Sequence, residues 1–228
     1  MKDNFSNQAS QYSQFRPHYP QELIDHVLSF VQNKDTALDV ATGNGQVAIA
    51  LSKHFHTVYA TDISENQLLH APKVLNVVYK KQSAEATDFD DKQFDLITVA
   101  QAVHWFDFNK FYAEVNRILK PNGIIHLKTD SPFLYTYTQA MVKENNYLIL
   151  VDTSDLYGEE AIRRLGEETS EARALQTHYE HQWLDRGLTI KYIAWELPAA
   201  PSLIEPDIEI EKDTYRSYGR NYVSSTNN

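Results

Sequence analysis

The 228-residue chain contains no cysteine, only seven glycines and two methionines. It also has no apolar run that approaches the ~18 residues of a membrane span. The absence of cysteine excludes a disulfide framework, a thiolate nucleophile and a cysteine-ligated metal site. The nine histidines are scattered without ligand-like spacing, so we predict no metal site. No apolar segment follows the lysine of "MKDNFSNQAS", which argues against a secretory signal and favours the cytoplasm.

Basic residues are scarce as well. The 21 lysines and arginines are outnumbered by 31 aspartates and glutamates, which gives a net charge of -10. Nucleic-acid binding usually requires a basic face that neutralises phosphates, and this balance argues against a large one. Part of the acidity lies in "EPDIEIEKD" (205–213), which we interpret as a solvated tail.

The apolar pattern alternates between short strand-like runs and amphipathic helical segments. Val47, Leu51 and Phe55 recur at helical spacing, and Ser64 and Asp107 are N-cap candidates for later helices. The strand candidates are 36–42, 56–62, 76–81, 94–100, 124–130, 147–153 and 189–197. This alternation predicts an α/β fold in which a mostly parallel, seven-stranded sheet carries helices on both faces.

A helix is predicted over 171–187 in the second half of the chain. Ala172, Leu175, Tyr179 and Trp183 are expected to face the core, with Gly187 near the end of the helix. The length favours a single domain, which we divide into an N-terminal cap (1–35), a cofactor-binding half (36–125) and a substrate-side half (126–197). Prolines and the ending "SSTNN" predict an irregular tail over 198–228.

A candidate ligand loop, "DVATGNGQ" (39–46), follows the first strand. Gly43 and Gly45 would let the backbone approach a ligand, and Asp39 supplies a carboxylate beside it. The pattern lacks the full G-x-G-x-x-G of dinucleotide sites. Asp62 closes the second strand, where an acid can accept hydrogen bonds from both hydroxyls of a ribose. Together these residues predict an adenosine ligand without phosphates.

These segments resemble the Rossmann-like class I S-adenosylmethionine (SAM) methyltransferases over residues ~10–125. "LDVATGNG" is similar to the first motif of that family, "YATD" carries the ribose acid, and "ILKPNG" matches the turn before strand five. "QSAEATDFDDKQFDLITVAQAVHWF" resembles the adenine-binding turn, the fourth strand and the active-site loop. "YSQFRPHYP" (12–20) resembles the cap of a subgroup that contains small-molecule methyltransferases.

The resemblance implies SAM as the cofactor and assigns residues to its site. The implied cofactor-binding residues are Asp39, Ala41, Gly43, Gly45, Asp62, Ile63, Ser83, Ala84 and Gln101. The implied substrate-side residues from the cap and the loop after strand four are Tyr12, Arg16, His104 and Trp105. A packing role for His104 and Trp105 against the following helix stays open.

The second half resembles a different family, the bacterial tRNA (guanine-N7) methyltransferases that act on guanine 46. The similar stretches are "HLKTDSPFLYTYTQAM", "TSDLYG", "QTHYEHQWLDRGLTIKYI" and "EPDIEIEKDTYRSYGRN". Matched residue by residue, the resemblance assigns catalytic roles to Asp130, Thr177 and Glu180. Carboxylates there could hold the Watson–Crick edge of guanine and stabilise the positive charge that methylation creates. Lys128 is a candidate phosphate contact.

The chain departs from that tRNA family in the loop after strand four. The family has a loop rich in proline and lysine, whereas "AQAVHWFDFNKF" (100–111) has one lysine, Lys110. The front and back therefore resemble different families, as in a natural recombinant, an artificial chimera or one divergent lineage. Three functions stay open: methylation of tRNA guanine N7, methylation of a small molecule, and SAM or partner binding without catalysis.

Overall fold

The computed structural model describes residues 19–197, 203–210 and 213. The α-helices in this part of the chain are α1 (Gln21–Ser29), α2 (Gln46–Ser52), α3 (Glu65–Leu69), α4 (Phe108–Ile118), α5 (Pro132–Glu144), α6 (Glu159–Leu165), α7 (Ser170–Ala174) and α8 (His178–Leu184). The strands are β1 (Thr36–Val40), β2 (Thr57–Asp62), β3 (Val77–Lys81), β4 (Leu96–Val99), β5 (Ile124–Thr129), β6 (Ile149–Thr153) and β7 (Lys191–Glu196). Two 3-10 turns lie at Val103–Trp105 and Gly166–Thr169.

The first four strands form a parallel sheet in the order β3-β2-β1-β4. In the register of this sheet, Asp39 on β1 lies opposite Ala60 on β2 and Thr98 on β4. The loops that follow β1, β2 and β4 therefore leave the sheet at one edge. This is the edge at which open α/β sheets bind their ligands.

The predicted single sheet of seven strands is wrong. The parallel sheet has four strands, and the remaining three form a second, antiparallel sheet in the order β5-β7-β6. β5 pairs with β7 through six register positions, and β6 pairs along the other side of β7. An apolar pattern predicts strands but not their partners, because pairing is decided by contacts distant in sequence.

Side chains join the two sheets into one core. Leu38 on β1 and Phe94, just before β4, lie in the same cluster of buried residues as Ile193 and Trp195 on β7. All four side chains are at most 1% exposed. The antiparallel sheet is therefore packed against the cofactor half of the molecule through apolar contacts.

The predicted N-caps of two helices are confirmed. The Ser64 side chain accepts a hydrogen bond from the backbone of Gln67 at the start of α3. The Asp107 side chain accepts one from the backbone of Lys110 at the start of α4. Each cap satisfies a backbone donor that the helix itself leaves free.

The predicted helix over 171–187 is wrong in its continuity. The chain forms two short helices, α7 and α8, and Thr177 is the N-cap of the second. A capping box there starts a new helix, so the apolar stripe does not continue across the break. Tyr179, expected in the core, is 43% exposed. Gly187 does lie just beyond the end of α8, at φ 70°.

Helices α1 and α5 were not predicted. α1 lies within the expected N-terminal cap, and α5 follows β5 directly. The signal for α5 was present, because Ser131 is its N-cap and Pro132 occupies the first helical position. Of the predicted irregular tail, the described residues 203–210 and 213 carry neither helix nor strand. None of the helices given above is long and apolar enough to cross a membrane.

Candidate active site

The loop after β1 has a backbone shape that ordinary residues avoid. Ala41, Gly43 and Gly45 have φ angles of 53°, 58° and 87°. Glycine adopts positive φ without steric cost, whereas alanine does so only under strain. At Gly45 space is also limiting, because an added Cβ would lie 2.6 Å from Tyr79 Oη. The loop therefore turns tightly at the ligand edge of the sheet.

The buried carboxylate of Asp39 holds this loop through hydrogen bonds. Asp39 is 1% exposed, and its carboxylate accepts hydrogen bonds from Thr42 Oγ1 at 2.5 Å and Thr98 Oγ1 at 2.9 Å. The structure thus connects this predicted cofactor residue to the glycine loop and to β4. Burial and, secondarily, the negative charge of Asp39 raise the pKa of Tyr79.

Asp62, at the end of β2, joins two loops through its carboxylate. Oδ2 accepts from the backbone N–H of Gly43 at 2.9 Å, and Oδ1 accepts from that of Ser64 at 2.8 Å. The side chain is half-buried at the rim of the sheet. A carboxylate has about four acceptor positions, so Asp62 can hold both loops and still accept hydrogen bonds from ribose hydroxyls.

The other predicted cofactor residues lie along the same edge. Ile63 follows β2, and Ser83 and Ala84 form the turn after β3. Ala84 is buried, whereas the Ser83 hydroxyl donates to the carboxylate of Glu85. Gln101 follows β4 with φ 58° and is exposed.

Gln46 is a site residue that sequence reasoning missed. Among the buried side-chain oxygens and nitrogens of the described residues, Oε1 of Gln46 is the one without a hydrogen-bond partner. It helps to line a small cavity whose other walls are Tyr19, Asp39, Ala41, Thr42, Val47 and Ala100. Its position immediately after Gly45 was the available signal.

The donors of SAM suit this set of acceptors. SAM carries ribose hydroxyls and an ammonium group, and it has no phosphates. Asp62 and the unpartnered oxygen of Gln46 are acceptors at the same loop. A buried acceptor without a partner is costly, and a bound donor would remove that cost. The residues present therefore fit SAM, with Asp62 for the ribose.

The acceptor side of the site begins in the turn after β4. His104 and Trp105 lie there with ring centroids 5.0 Å apart, and Trp105 is 40% exposed. Desolvation of the ring lowers the pKa of His104, while the negative charges of Asp130 and Asp213 act to raise it. Just after this turn, Phe108 has its ring centroid 5.9 Å from that of Phe133, so the segment that follows β4 packs against the start of α5.

Asp130 follows β5 and is half-buried. Lys191, at the start of β7, donates from Nζ to the backbone carbonyl of Asp130 at 3.0 Å. Burial lowers the pKa of Lys191, and the charge of Asp130 is the largest of the effects that raise it. Asp130 therefore lies at the end of the fifth strand, as predicted, beside the start of β7, and its catalytic role stays a prediction.

Thr177, Glu180 and Lys128 form a cluster of their own. The Thr177 side chain and the Glu180 carboxylate cap each other's backbone N–H groups. Oε1 of Glu180, which is 6% exposed, also accepts from Tyr157 Oη at 2.6 Å and pairs with Lys128 Nζ at 2.6 Å. The catalytic roles of Thr177 and Glu180 stay predictions, and the contacts give both residues a structural role.

Lys128 is fully engaged within the protein. Besides Glu180, its ammonium donates to the backbone carbonyls of Ala172 at 2.6 Å and Leu175 at 2.9 Å. Burial lowers the pKa of Lys128, while Glu180 opposes that shift. The predicted phosphate contact of Lys128 remains a prediction and would have to compete with these acceptors.

Two predicted substrate-side residues, Tyr12 and Arg16, lie outside the described residues. Within the described ranges, no group of three or more histidine, aspartate or glutamate side chains is placed to hold a metal ion.

Comparisons with known proteins agree with this geometry. A family described as a methyltransferase domain matches residues 38–127. A SAM-dependent methyltransferase structure from Aquifex aeolicus superposes with a TM-score of 0.56 at 15% identity, covering 83% of this chain and 98% of that one. The parallel sheet, glycine loop and acid of β2 define a class I SAM-dependent methyltransferase, and SAM is its cofactor.

Relatives extend the match across the whole chain. The tRNA (guanine-N(7)-)-methyltransferase of Bacteroides fragilis is 31% identical over 250 residues, covering 96% of this chain and 94% of its own. That of Porphyromonas gingivalis is 34% identical over 218 residues, covering 86% and 85%. The chain belongs to the same methyltransferase family as these two proteins. Because single relatives align with both halves, one divergent lineage accounts for the two resemblances better than a chimera does.

The contacts of Asp62 predict a test of the cofactor site. Replacement of Asp62 by alanine removes the acceptor for Gly43 N–H and Ser64 N–H as well as the ribose partner. We expect SAM binding to weaken by about tenfold or more, equivalent to about 1.4 kcal/mol. Isothermal titration calorimetry measures this, with exposed Asp90→Ala as the matched control. Equal SAM affinity in both variants would overturn the assignment of Asp62.

The Lys128–Glu180 pair predicts a loss of stability. We expect Glu180→Gln to lower the free energy of unfolding by about 2–4 kcal/mol, because it leaves the Lys128 ammonium poorly compensated. This range is modest for a buried pair since the Lys128 side chain is 24% exposed. Urea unfolding measures the change. As a control, replacement of exposed Glu160 by glutamine should leave the free energy of unfolding within about 0.5 kcal/mol of that of the unaltered protein. Activity lost at unchanged stability would instead favour a mainly catalytic Glu180.

Proposed function

We propose that this methyltransferase transfers the methyl group of SAM to N7 of a guanine in tRNA, with guanine 46 as the target. The observation that carries the proposal is the alignment with the Bacteroides fragilis tRNA (guanine-N(7)-)-methyltransferase, which spans 96% of this chain and 94% of that one. Such coverage includes the acceptor-side half, on which the choice of methyl acceptor depends.

The chemistry asks little of the protein beyond placement. SAM supplies a methyl group on a positively charged sulfur. The lone pair of guanine N7 forms a bond to the methyl carbon, the carbon–sulfur bond breaks, and its electron pair remains on sulfur. No proton leaves the purine, so a general base is not needed. Holding the acceptor in line with the bond that breaks supplies most of the rate.

In this proposal, Asp130 holds the acceptor. Its carboxylate can accept hydrogen bonds from the N1–H and N2–H groups of guanine, and its charge stabilises the cation that forms on the purine. The exposed ring of Trp105 offers a surface on which an unstacked base can lie. Desolvation lowers the pKa of His104 and so favours the neutral imidazole, which does not repel the cationic product.

A small-molecule acceptor is the second candidate. Lys110, the one lysine of the loop segment 100–111, is paired with Asp107 at 2.9 Å. Lys128 and Lys191 donate to oxygens of the protein itself. Among the described residues, few cations at this edge are therefore available for phosphates, and a small acceptor would not require them.

Replacement of Asp130 tests the proposal. With tritiated SAM and an unmodified tRNA transcript, we expect label in 7-methylguanosine and a fall in kcat/KM of about 100-fold for Asp130→Asn. A transcript with adenine at position 46 should stay unlabelled. SAM affinity should be unchanged in Asp130→Asn, because its contacts lie outside the glycine loop, and Asp90→Asn is the matched control.

The outcomes separate the candidates. Absence of label in 7-methylguanosine would refute the tRNA proposal. Transfer of label to a pool of small metabolites, with tRNA unlabelled, would establish the second candidate. Label in 7-methylguanosine from the adenine-46 transcript would leave tRNA as the substrate and exclude the proposed position.

A further inference from the structure

The described part of the C-terminal tail lies along helix α5. At the end of this helix, the Asn145 side chain donates to the Ile204 carbonyl at 2.8 Å and accepts from Ile204 N–H at 2.6 Å. Further along, Tyr137 Oη donates to Glu205 at 3.3 Å. Leu203 and Ile210 pack against the main core. The acidic tail, predicted to be only a solvated segment, is therefore attached to the folded protein.

Asp213 holds the opposite end of the helix. Its carboxylate accepts from the hydroxyl of Ser131 and from the backbone N–H of Phe133, the latter at 2.9 Å. Ser131 Oγ in turn accepts from Leu134 N–H at 2.9 Å. Pro132 has no N–H to satisfy. Asp213 and Ser131 together satisfy the first backbone donors of α5, and a carboxylate is also favoured there by the helix dipole.

This end of α5 is the end that carries the acceptor site. Asp130 directly precedes Ser131, so the position of the Ser131 cap determines where Asp130 lies. The charge of Asp213 acts on His104 and on Lys191, and the charge of Asp130 acts on the same two groups. Hydrogen bonds join the end of β5 to the start of β7 and to the tail at this junction. The segment after β4 reaches it through Phe108, whose ring centroid lies 5.9 Å from that of Phe133.

We infer that Asp213 is a positioning residue of the acceptor site. By bonding Ser131 and Phe133 it fixes the junction of β5 and α5, and it thereby holds Asp130 in place for the methyl acceptor. The inference rests on the proposed function only in taking Asp130 as the residue that holds the acceptor. It does not require the acceptor to be tRNA.

Kinetics of the full chain test this role. In Asp213→Ala, we expect the KM for tRNA to rise by about tenfold or more, since small displacements of positioned groups cost large factors in rate. The Kd for SAM should be unchanged. The KM for tRNA of Asp213→Asn should lie between that of Asp213→Ala and that of the unaltered protein. The one side-chain oxygen of asparagine can replace only one of the two carboxylate acceptors. Glu205→Gln, which alters the tail away from the junction, is the matched control.

A second readout does not depend on turnover. Removal of the negative charge in Asp213→Asn should lower the pKa of His104 further, while Glu205→Gln should leave it unchanged. Titration of labelled histidines by NMR measures this, with the His104 signal identified by its loss in His104→Asn. A general destabilisation of the tail would not change the pKa of His104 in particular among the histidines.

Each outcome decides the inference. A raised KM for tRNA in Asp213→Ala together with an unaltered Kd for SAM supports it. Values of KM equal to those of Glu205→Gln overturn it. If the unaltered protein methylates no tRNA, the proposed substrate fails and the His104 titration decides: a lowered pKa in Asp213→Asn supports the placement of Asp213 in the site, and an unchanged pKa overturns it.

Discussion

The cofactor site depends on the carboxylate of Asp62, which holds two loops of unlike shape at one edge of the sheet. The loop after β1 turns away from the sheet at Ala41, Gly43 and Gly45, where φ is positive. Its last backbone contact with the sheet is the Thr42 N–H, which donates to the Thr61 carbonyl of β2 at 2.9 Å. Asp62 accepts from Gly43 above, and buried Asp39 accepts from Thr42 below. The loop therefore has its binding shape before SAM arrives, which reduces the entropy lost on binding.

The acceptor-side half is organised by a different kind of interaction. Its antiparallel sheet is joined to the cofactor half by apolar contacts, among them those of Trp195. Helices α7 and α8 meet at Lys128, whose ammonium bonds Glu180 and the carbonyls of Ala172 and Leu175. A buried cation with several oxygen partners fixes where chain segments cross more narrowly than apolar packing does. This network places the break between α7 and α8 beside β5.

Local signals made part of this arrangement predictable. Strand positions, the glycine loop, Asp62 and the caps at Ser64 and Asp107 follow from patterns within a few residues, and each lies where it was expected. The division into two sheets was not predictable, since strand pairing joins segments distant in the chain. Asp213 had no local signal either: its partners Ser131 and Phe133 lie 82 and 80 residues away.

For Thr177 and Glu180, the sequence indicated a catalytic role but not the structural role that their contacts show. A spacing of three residues places two side chains near each other on a helix, but it also forms a capping box when the first residue precedes the helix. The predicted helix over 171–187 contained both residues, whereas the structure has Thr177 outside α8, as its N-cap, and Glu180 bonded to the backbone of Thr177. The family resemblance and the capping contacts are compatible, because the capped first turn of α8 is held beside β5 through the pair of Glu180 and Lys128.

The distribution of charge at the acceptor edge bears on what the enzyme can recognise. Lys128 and Lys191, the cations beside β5, bond oxygens of the protein itself, whereas Asp130 and Asp213 lie together at the end of that strand. Such an edge stabilises positive charge and repels phosphate. An acceptor that becomes a cation on methylation is stabilised by this negative charge. Hydrogen-bond donors on the acceptor's own edge can also bond the carboxylates. For a tRNA, this means that the base would be bound at the acidic edge, and that its phosphates would be contacted by cations other than Lys128 and Lys191.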